Sequence, residues 1–150
     1  MQLTPHFTLD ELIRSAKAAQ LGIDNTPPAE VQQRLQGTAE MLERIRSTLN
    51  VPITVTSGYR CRQLNQAVGG VTTSDHTLGC AADIVAPLAG DPLSIARSLA
   101  PLVSVLGIGQ LIYEHIGRSA WVHVSTRMPD RAANRVITIS DAGTQLGIQP

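Results

Sequence analysis

A stripe of mostly apolar residues runs through positions 29–50 at alternating steps of four and three. This spacing places the stripe on one side of an α-helix and leaves the charged residues on the other side. The sequence therefore predicts a long amphipathic helix that packs against a sheet and exposes a solvated outer face. The stripe consists of Val31, Leu35, Thr38, Leu42, Ile45 and Leu49.

An earlier helix is indicated by its N-terminal signal. Thr8 and Glu11 stand three positions apart just before an apolar periodic segment, which is the pattern of a capping box. We predict a helix that starts at this cap, runs to about Ala19 and ends near Gly22. Residues 22–28 then connect it to the long helix.

Short segments rich in β-branched residues predict a sheet in the second half of the chain. Two more helices are predicted at 61–68 and from Asp91-Pro92 to about Leu99. Helices followed by mostly neighbouring strands predict one α+β domain spanning 1–150, with an antiparallel sheet and helices mainly on one side. The tail 141–150 is expected to be loosely anchored. The predicted strands are 53–56, 81–85, a hairpin over 110–125, and 136–140, the last a candidate edge strand.

Composition excludes several classes of partner. The 150 residues carry 12 basic and 12 acidic side chains spread along the chain, for a formal net charge of zero. No basic block favours nucleic acid or an anionic membrane, and no apolar run has the length of a membrane span. We expect a monomer. The N-terminus lacks the charged and apolar regions of a secretory signal, so we expect a protein that is cytoplasmic as synthesised, or one from which a signal has been trimmed.

Three residues are candidate metal ligands. His76 and Asp83 are separated by seven positions, which suits a loop that delivers the histidine and then enters a strand with the aspartate. His123 lies on the same face of its predicted strand as Trp121 and Ser125. Two histidines and one carboxylate suit a catalytic zinc, which takes three protein ligands and a water molecule. The alternative is a coincidental pair packed by ordinary small residues.

The wider context resembles a known family of zinc peptidases. Residues 57–60 read Ser-Gly-Tyr-Arg, residues 74–83 match the pattern Ser-x-His-x-x-Gly-x-Ala-x-Asp at every fixed position, and Trp121-x-His123 follows. This set resembles the bacterial D-Ala-D-Ala carboxypeptidases and L-alanyl-D-glutamate endopeptidases, related in fold to the hedgehog signalling domain. The resemblance covers about residues 7–125. It implies a hedgehog/D,D-peptidase-like fold, Zn²⁺ at His76, Asp83 and His123, and hydrolysis of peptidoglycan peptides.

The resemblance also implies roles for residues around the metal. Arg60 is expected to bind a substrate carboxylate, and Ser74 to hydrogen-bond either the substrate or a metal ligand. Many relatives carry the acidic residue that moves protons a few positions before the last histidine, but 117–122 contains no Asp or Glu. Glu114 is the nearest upstream carboxylate and our choice of general base, with a surface glutamate as the alternative. Asp75 is the second choice, although we expect it to be exposed.

Several alternatives stay open. The enzyme could remove a terminal D-Ala or cut inside the peptide, and a non-enzymatic zinc module that binds wall fragments or a protein partner is the competing class. The missing secretory signal favours a phage or prophage lysin that reaches the wall after release. For Cys61 and Cys80 we favour free thiols over a disulfide or metal ligation.

Overall fold

The computed structural model describes residues 1–150 and contains six α-helices and eight strands. The helices are α1 (Leu9–Ile13), α2 (Ala16–Leu21), α3 (Ala29–Leu49), α4 (Arg62–Ala67), α5 (Pro92–Leu99) and α6 (Val103–Leu106). The strands are β1 (Gln2–Thr4), β2 (Phe7–Thr8), β3 (Thr54–Ser57), β4 (Ala81–Val85), β5 (Ile108–Ile116), β6 (Ser119–Thr126), β7 (Arg135–Ser140) and β8 (Gly143–Leu146). Two 3₁₀ turns lie at Asp75–Leu78 and Ala100–Leu102. No helix combines the length and apolar composition that crossing a bilayer requires.

The predicted capping box is confirmed at the start of α1. The Glu11 amide donates to the Thr8 hydroxyl oxygen, and the Thr8 amide donates back to the Glu11 carboxylate. The prediction of one helix to Ala19 is wrong, because Arg14 is extended and Ser15 starts α2. The Ser15 hydroxyl accepts from the Ala18 amide and so competes with continuation of α1.

The long amphipathic helix is confirmed as α3. The stripe residues from Val31 to Ile45 are buried, and Leu49 packs at the edge of the core. Thr38, the polar member of the stripe, donates its hydroxyl to the Gly79 carbonyl at 2.8 Å. The helix therefore holds the loop that precedes β4.

Six strands form one sheet in the order β3-β4-β6-β5-β7-β8. All neighbouring pairs are antiparallel except β5 and β7, which are parallel. The α+β class is confirmed, but the expectation of a wholly antiparallel sheet is wrong at this pair. After β6 the chain runs through 127–134 across the end of the sheet, and this crossing lets β7 lie along the free edge of β5.

The expectation of a loosely anchored tail is also wrong. Residues 143–146 form β8 on the outer side of β7, so β7 is not an edge strand. The Thr138 hydroxyl donates to the Gly147 carbonyl and accepts from the Gln149 amide, each at 2.8 Å. Because Thr138 is fully buried, these bonds fix the tail to the sheet.

The two faces of the sheet have different environments. One face packs on α3, α5 and α6 through alternate side chains, including Ile84, Leu111, Val122 and Val124. The side chains between them, including Asp83 and His123, point to the other face. Helices therefore cover one side, as predicted, and the opposite face is left for a cleft.

Candidate metal centre

Strand pairing brings two of the predicted metal ligands together. Asp83 on β4 lies directly opposite His123 on β6, so their side chains share the open face of the sheet. His76 comes from the 3₁₀ turn just before β4. That turn ends at Gly79, whose φ of +76° is left-handed and where a Cβ would collide with Val31 on α3. The glycine thus lets the turn pack on the helix and enter β4.

Hydrogen bonding orients the His76 ring. Its Nδ1 lies 2.7 Å from the Gly58 carbonyl oxygen, and because a carbonyl only accepts, Nδ1 carries the proton. Nε2 is then free to bind a metal, and it lies 3.3 Å from Asp83 Oδ1. His123 Nδ1 lies 3.0 Å from the same oxygen, and the three ligand atoms are all within 4.8 Å of one another.

These atoms fit a divalent metal with three protein ligands. Ligands bonded at about 2.0–2.1 Å to a tetrahedral zinc stand roughly 3.3 Å apart, close to the two separations from Asp83 Oδ1. Both histidines are buried, and Gly58 supplies the kind of outer hydrogen bond that orients a ligating imidazole. Burial alone would raise the pKa of Asp83, but hydrogen bonds from His123 and His76 bring it well below its usual range.

Comparison with known proteins identifies the family. The family model described as Peptidase M15 matches residues 5–125, most of the chain. The chain belongs to the Peptidase M15 family. The resemblance to zinc peptidases is thereby confirmed, and membership supports a metallopeptidase. No curated protein matches the chain.

In this Peptidase M15 chain, Arg60 lies beside the candidate ligands His76, Asp83 and His123, which we call the metal-ligand group. Its amide donates to the His76 carbonyl at 3.2 Å, and its guanidinium approaches the Ser74 hydroxyl at 3.5 Å. It forms no ion pair with a carboxylate of the chain, and its buried Nε has no hydrogen-bond partner. Burial lowers the pKa of Arg60, although Asp83 and Glu114 oppose this. The cleft therefore contains a half-buried cation that is suited to an anion.

Glu114 lies on the same face of the sheet as the candidate metal ligands Asp83 and His123. On β5 it pairs with Trp121, one step diagonally from His123, and both it and Trp121 line the cleft. Burial, helped by the negative charge of Asp83, raises the pKa of Glu114, and His123 and Arg60 offset this only in part. A carboxyl with a raised pKa beside three candidate metal ligands holds a proton more readily than an exposed glutamate, which suits a group that transfers protons.

The expectation that Asp75 is exposed is wrong. Asp75 is 8% exposed, and its Oδ1 lies 3.3 Å from the Arg131 guanidinium. The reason is the 3₁₀ turn: the Ser74 hydroxyl accepts from the His76 amide and folds the intervening residue inward. Asp75 is therefore engaged with a cation, whereas Glu114 is not.

The cleft has a volume of about 740 Å³, and part of its wall was not foreseen from the sequence. Ile112, Ile137 and Ile139 supply apolar surface, and Arg131 and Arg135 add two cations. Arg131 lies in the segment 127–134 that crosses to β7, and Arg135, Ile137 and Ile139 lie on β7 itself. The β-branched residues of 136–140 identified β7 as a strand but carried no information about which strand it pairs with.

Asn25 is a second residue that the sequence did not single out. It is 9% exposed, its side-chain amide donates to the carbonyls of Ile13 and Tyr59, and its oxygen accepts from the Cys61 amide. These bonds hold the backbone on both sides of Arg60. An asparagine in a connector gives no sequence signal for such a role.

The remaining histidines and the cysteines lie outside the group. His115 points away from Glu114 and stacks on Tyr113, and His6 is paired with Glu43 at the surface. Cys61 and Cys80 are free thiols, as favoured from the sequence, and the disulfide alternative is wrong. Cys61 instead caps α4.

Proposed function

We propose that the chain is a zinc-dependent peptidase that hydrolyses peptidoglycan stem peptides, with His76, Asp83 and His123 holding the metal. The observation that carries this proposal is the convergence of the three ligand atoms in a cleft that also contains an unpaired arginine and a glutamate with a raised pKa. We also propose a hedgehog/D,D-peptidase-like fold and a single domain over 1–150. Family membership and the sheet arrangement support both.

Glu114 is proposed as the general base. A zinc ion in such a site supplies Lewis-acid polarisation of the scissile carbonyl and activation of a water molecule. The Glu114 carboxylate takes a proton from the attacking water and passes it to the amine nitrogen that leaves. The raised pKa of Glu114 makes its carboxylate a stronger proton acceptor than an ordinary glutamate, which favours the first of these steps.

Arg60 and Ser74 are proposed to bind a substrate carboxylate. The guanidinium can offer two parallel N–H donors to the two carboxylate oxygens, which fixes the orientation of the peptide. The Ser74 oxygen already accepts from the His76 amide and faces Arg60. Its hydroxyl proton therefore remains available to donate to the same carboxylate.

A digest of purified muropeptides, read by mass spectrometry, tests the function. It is run with the zinc-loaded protein, after chelation, and after zinc is restored. Chelator-sensitive loss of one terminal alanine identifies a D,D-carboxypeptidase, and cleavage within the stem or a cross-link identifies an endopeptidase. If the zinc-loaded protein cleaves nothing, the peptidase proposal is rejected in favour of a module that binds wall fragments.

A further inference from the structure

A small chamber of about 70 Å³ opens beside the cleft, at the end of the sheet where β5 begins. Asp75, Gln110, Arg131 and Arg135 line both this chamber and the cleft, so the two are continuous. Ser125 also lines the chamber. We call it the Arg135 chamber. A single water needs roughly 10–15 Å³ of such space, so the chamber has room for a carboxylate but not for a large side chain.

Strand register fixes the position of the Arg135 chamber. Ser125 follows His123 by two residues on β6, so the two share a face and lie roughly 7 Å apart. Gln110 lies opposite Ser125 on β5, and Arg135 lies opposite Gln110 on β7. An extended peptide that passes the metal-ligand group therefore reaches the chamber within about two residues.

The chamber contains donors that have no partner in the protein, together with one buried acceptor, Asp75 Oδ1, whose polar contact is the ion pair with Arg131. Ser125 is 1% exposed, yet its hydroxyl makes no hydrogen bond with the chain, and neither does the Gln110 side chain. Arg135 is exposed at the mouth of the chamber and forms no ion pair, while Arg131 is paired with Asp75. Two cations and one carboxylate leave one net positive charge at a buried hydroxyl and an amide. Such a set favours an anion, and a guanidinium fits a carboxylate best.

We infer that the Arg135 chamber binds a second carboxylate of the substrate, a conclusion that rests on the proposed peptidase function. Arg60 lines the cleft but not the chamber, so the site has two separate cationic positions. The substrate is then an acidic peptide that carries one terminal carboxylate and a second free carboxylate, which lies about two residues from the residue at the metal-ligand group. Arg131 and Arg135 lie beyond residue 125, where the family match ends. The second position is therefore a feature of the C-terminal segment of this chain.

Two synthetic peptides that differ only in a carboxylate or a carboxamide at the second position test this inference. Their affinities for the metal-free protein are measured by calorimetry, and their kcat/KM values with the zinc-loaded protein. Arg135→Gln removes the cation without disturbing the backbone pairing of β7. Arg97→Gln, on the exposed side of α5, is the matched control for loss of one arginine.

We expect the carboxylate peptide to bind ~10-fold more tightly than the carboxamide peptide, as one charge-assisted pair predicts. The preference should fall below ~2-fold in Arg135→Gln and persist in Arg97→Gln. Equal binding of the two peptides by the unaltered protein, or a preference that survives Arg135→Gln, overturns the inference. If both peptides bind equally and are cleaved at the same rate, the proposed carboxylate site in the Arg135 chamber is rejected while the peptidase function stands. Binding with the expected preference but without cleavage supports the chamber and rejects the peptidase function.

Discussion

His76 donates its Nδ1 proton to the carbonyl oxygen of Gly58 across 2.7 Å, which joins the two sequence motifs of the site. Gly58 is itself held against α1, where the neighbouring Tyr59 amide donates to the Leu12 carbonyl at 2.7 Å. A Cβ on Gly58 would lie 2.1 Å from that carbonyl oxygen. The orientation of His76, a proposed metal ligand, therefore depends on a backbone contact that only glycine permits.

Gly58→Ala is expected to destabilise the protein and weaken zinc binding together. The added methyl must push the segment away from α1, at a cost of about 1–3 kcal/mol in the free energy of unfolding. Loss of an outer hydrogen bond to a ligating histidine weakens metal affinity by roughly 10–100-fold. Chemical denaturation and competition with a chromophoric chelator measure the two effects. Gly37→Ala is the control, because a methyl there meets no atom within 4 Å and should stabilise α3. Unchanged zinc affinity in Gly58→Ala contradicts the link.

His123→Gln is expected to abolish stoichiometric zinc binding. The substitution removes an imidazole whose Nδ1 lies beside Asp83. His115→Gln, on the opposite face of the neighbouring strand, should keep one zinc per chain, because that ring stacks on Tyr113 instead. Metal content after dialysis, measured by atomic emission, separates the two variants. Equal zinc content in both would rule out His123 as a ligand.

Glu114→Gln is expected to lower kcat by ~10²–10⁴-fold while zinc stays bound, because it removes the proton acceptor. The same variant should be more stable than the unaltered metal-free protein at pH 7. Burial raises the pKa of Glu114, so the folded state binds its proton more tightly, and stability falls as the pH rises from the unfolded pKa through the folded pKa. The amide of the variant is uncharged at every pH. Below pH ~4 the Glu114 carboxyl is also neutral, in both the folded and the unfolded protein, so the difference in stability should vanish there.

Thermal unfolding of the metal-free proteins between pH 3 and 8 tests the effect of Glu114→Gln on stability. Steady-state kinetics with the zinc-loaded proteins test its effect on kcat. Glu40→Gln, on the exposed side of α3, is the control and should leave kcat unchanged. A kcat that survives Glu114→Gln would show that another residue moves the proton.

The long helix α3, the cap of α5 and the candidate ligands His76 and Asp83 could be identified from the sequence because their signals are local. The stripe of α3, the Asp91 cap of α5 and the spacing of His76 and Asp83 each depend on residues close in sequence. Alternation also placed His123 and Ser125 on one face. Because β4 and β6 are neighbours in the sheet, Asp83 and His123, which share a face, lie side by side.

Long-range pairing could not be predicted in the same way. Nothing in residues 136–140 states that they lie parallel to β5, so Arg135 and the isoleucines of β7 could not be assigned to the cleft. The burial of Asp75 was missed because its partner, Arg131, stands far along the chain. The anchoring of 143–149 was missed because it depends on Thr138, a polar residue in a strand of unknown position.

Arg60→Lys is expected to raise KM by roughly 10–100-fold for a peptide with a terminal carboxylate, because an ammonium cannot form the bidentate pair. The effect on a peptide with an amidated terminus should be small. Arg62→Lys, an exposed residue of α4, is the matched control and should change neither value. Steady-state kinetics on the two peptides measure the outcome. Equal losses on both peptides would show that Arg60 supports the fold of the site rather than the carboxylate.

Thr138→Val is expected to loosen the C-terminal segment. Valine keeps the shape of threonine but removes the hydroxyl that bonds to both Gly147 and Gln149, at a cost of about 1–3 kcal/mol. Hydrogen exchange of the Gln149 amide should accelerate, because this amide then has no acceptor. Thr138→Ser keeps the hydroxyl and should preserve the protection of that amide, at the smaller cost of one methyl group. If the Gln149 amide exchanges equally fast in both variants and in the unaltered protein, the tail is not held by Thr138, and β7 must derive its position in the cleft wall from β5 alone.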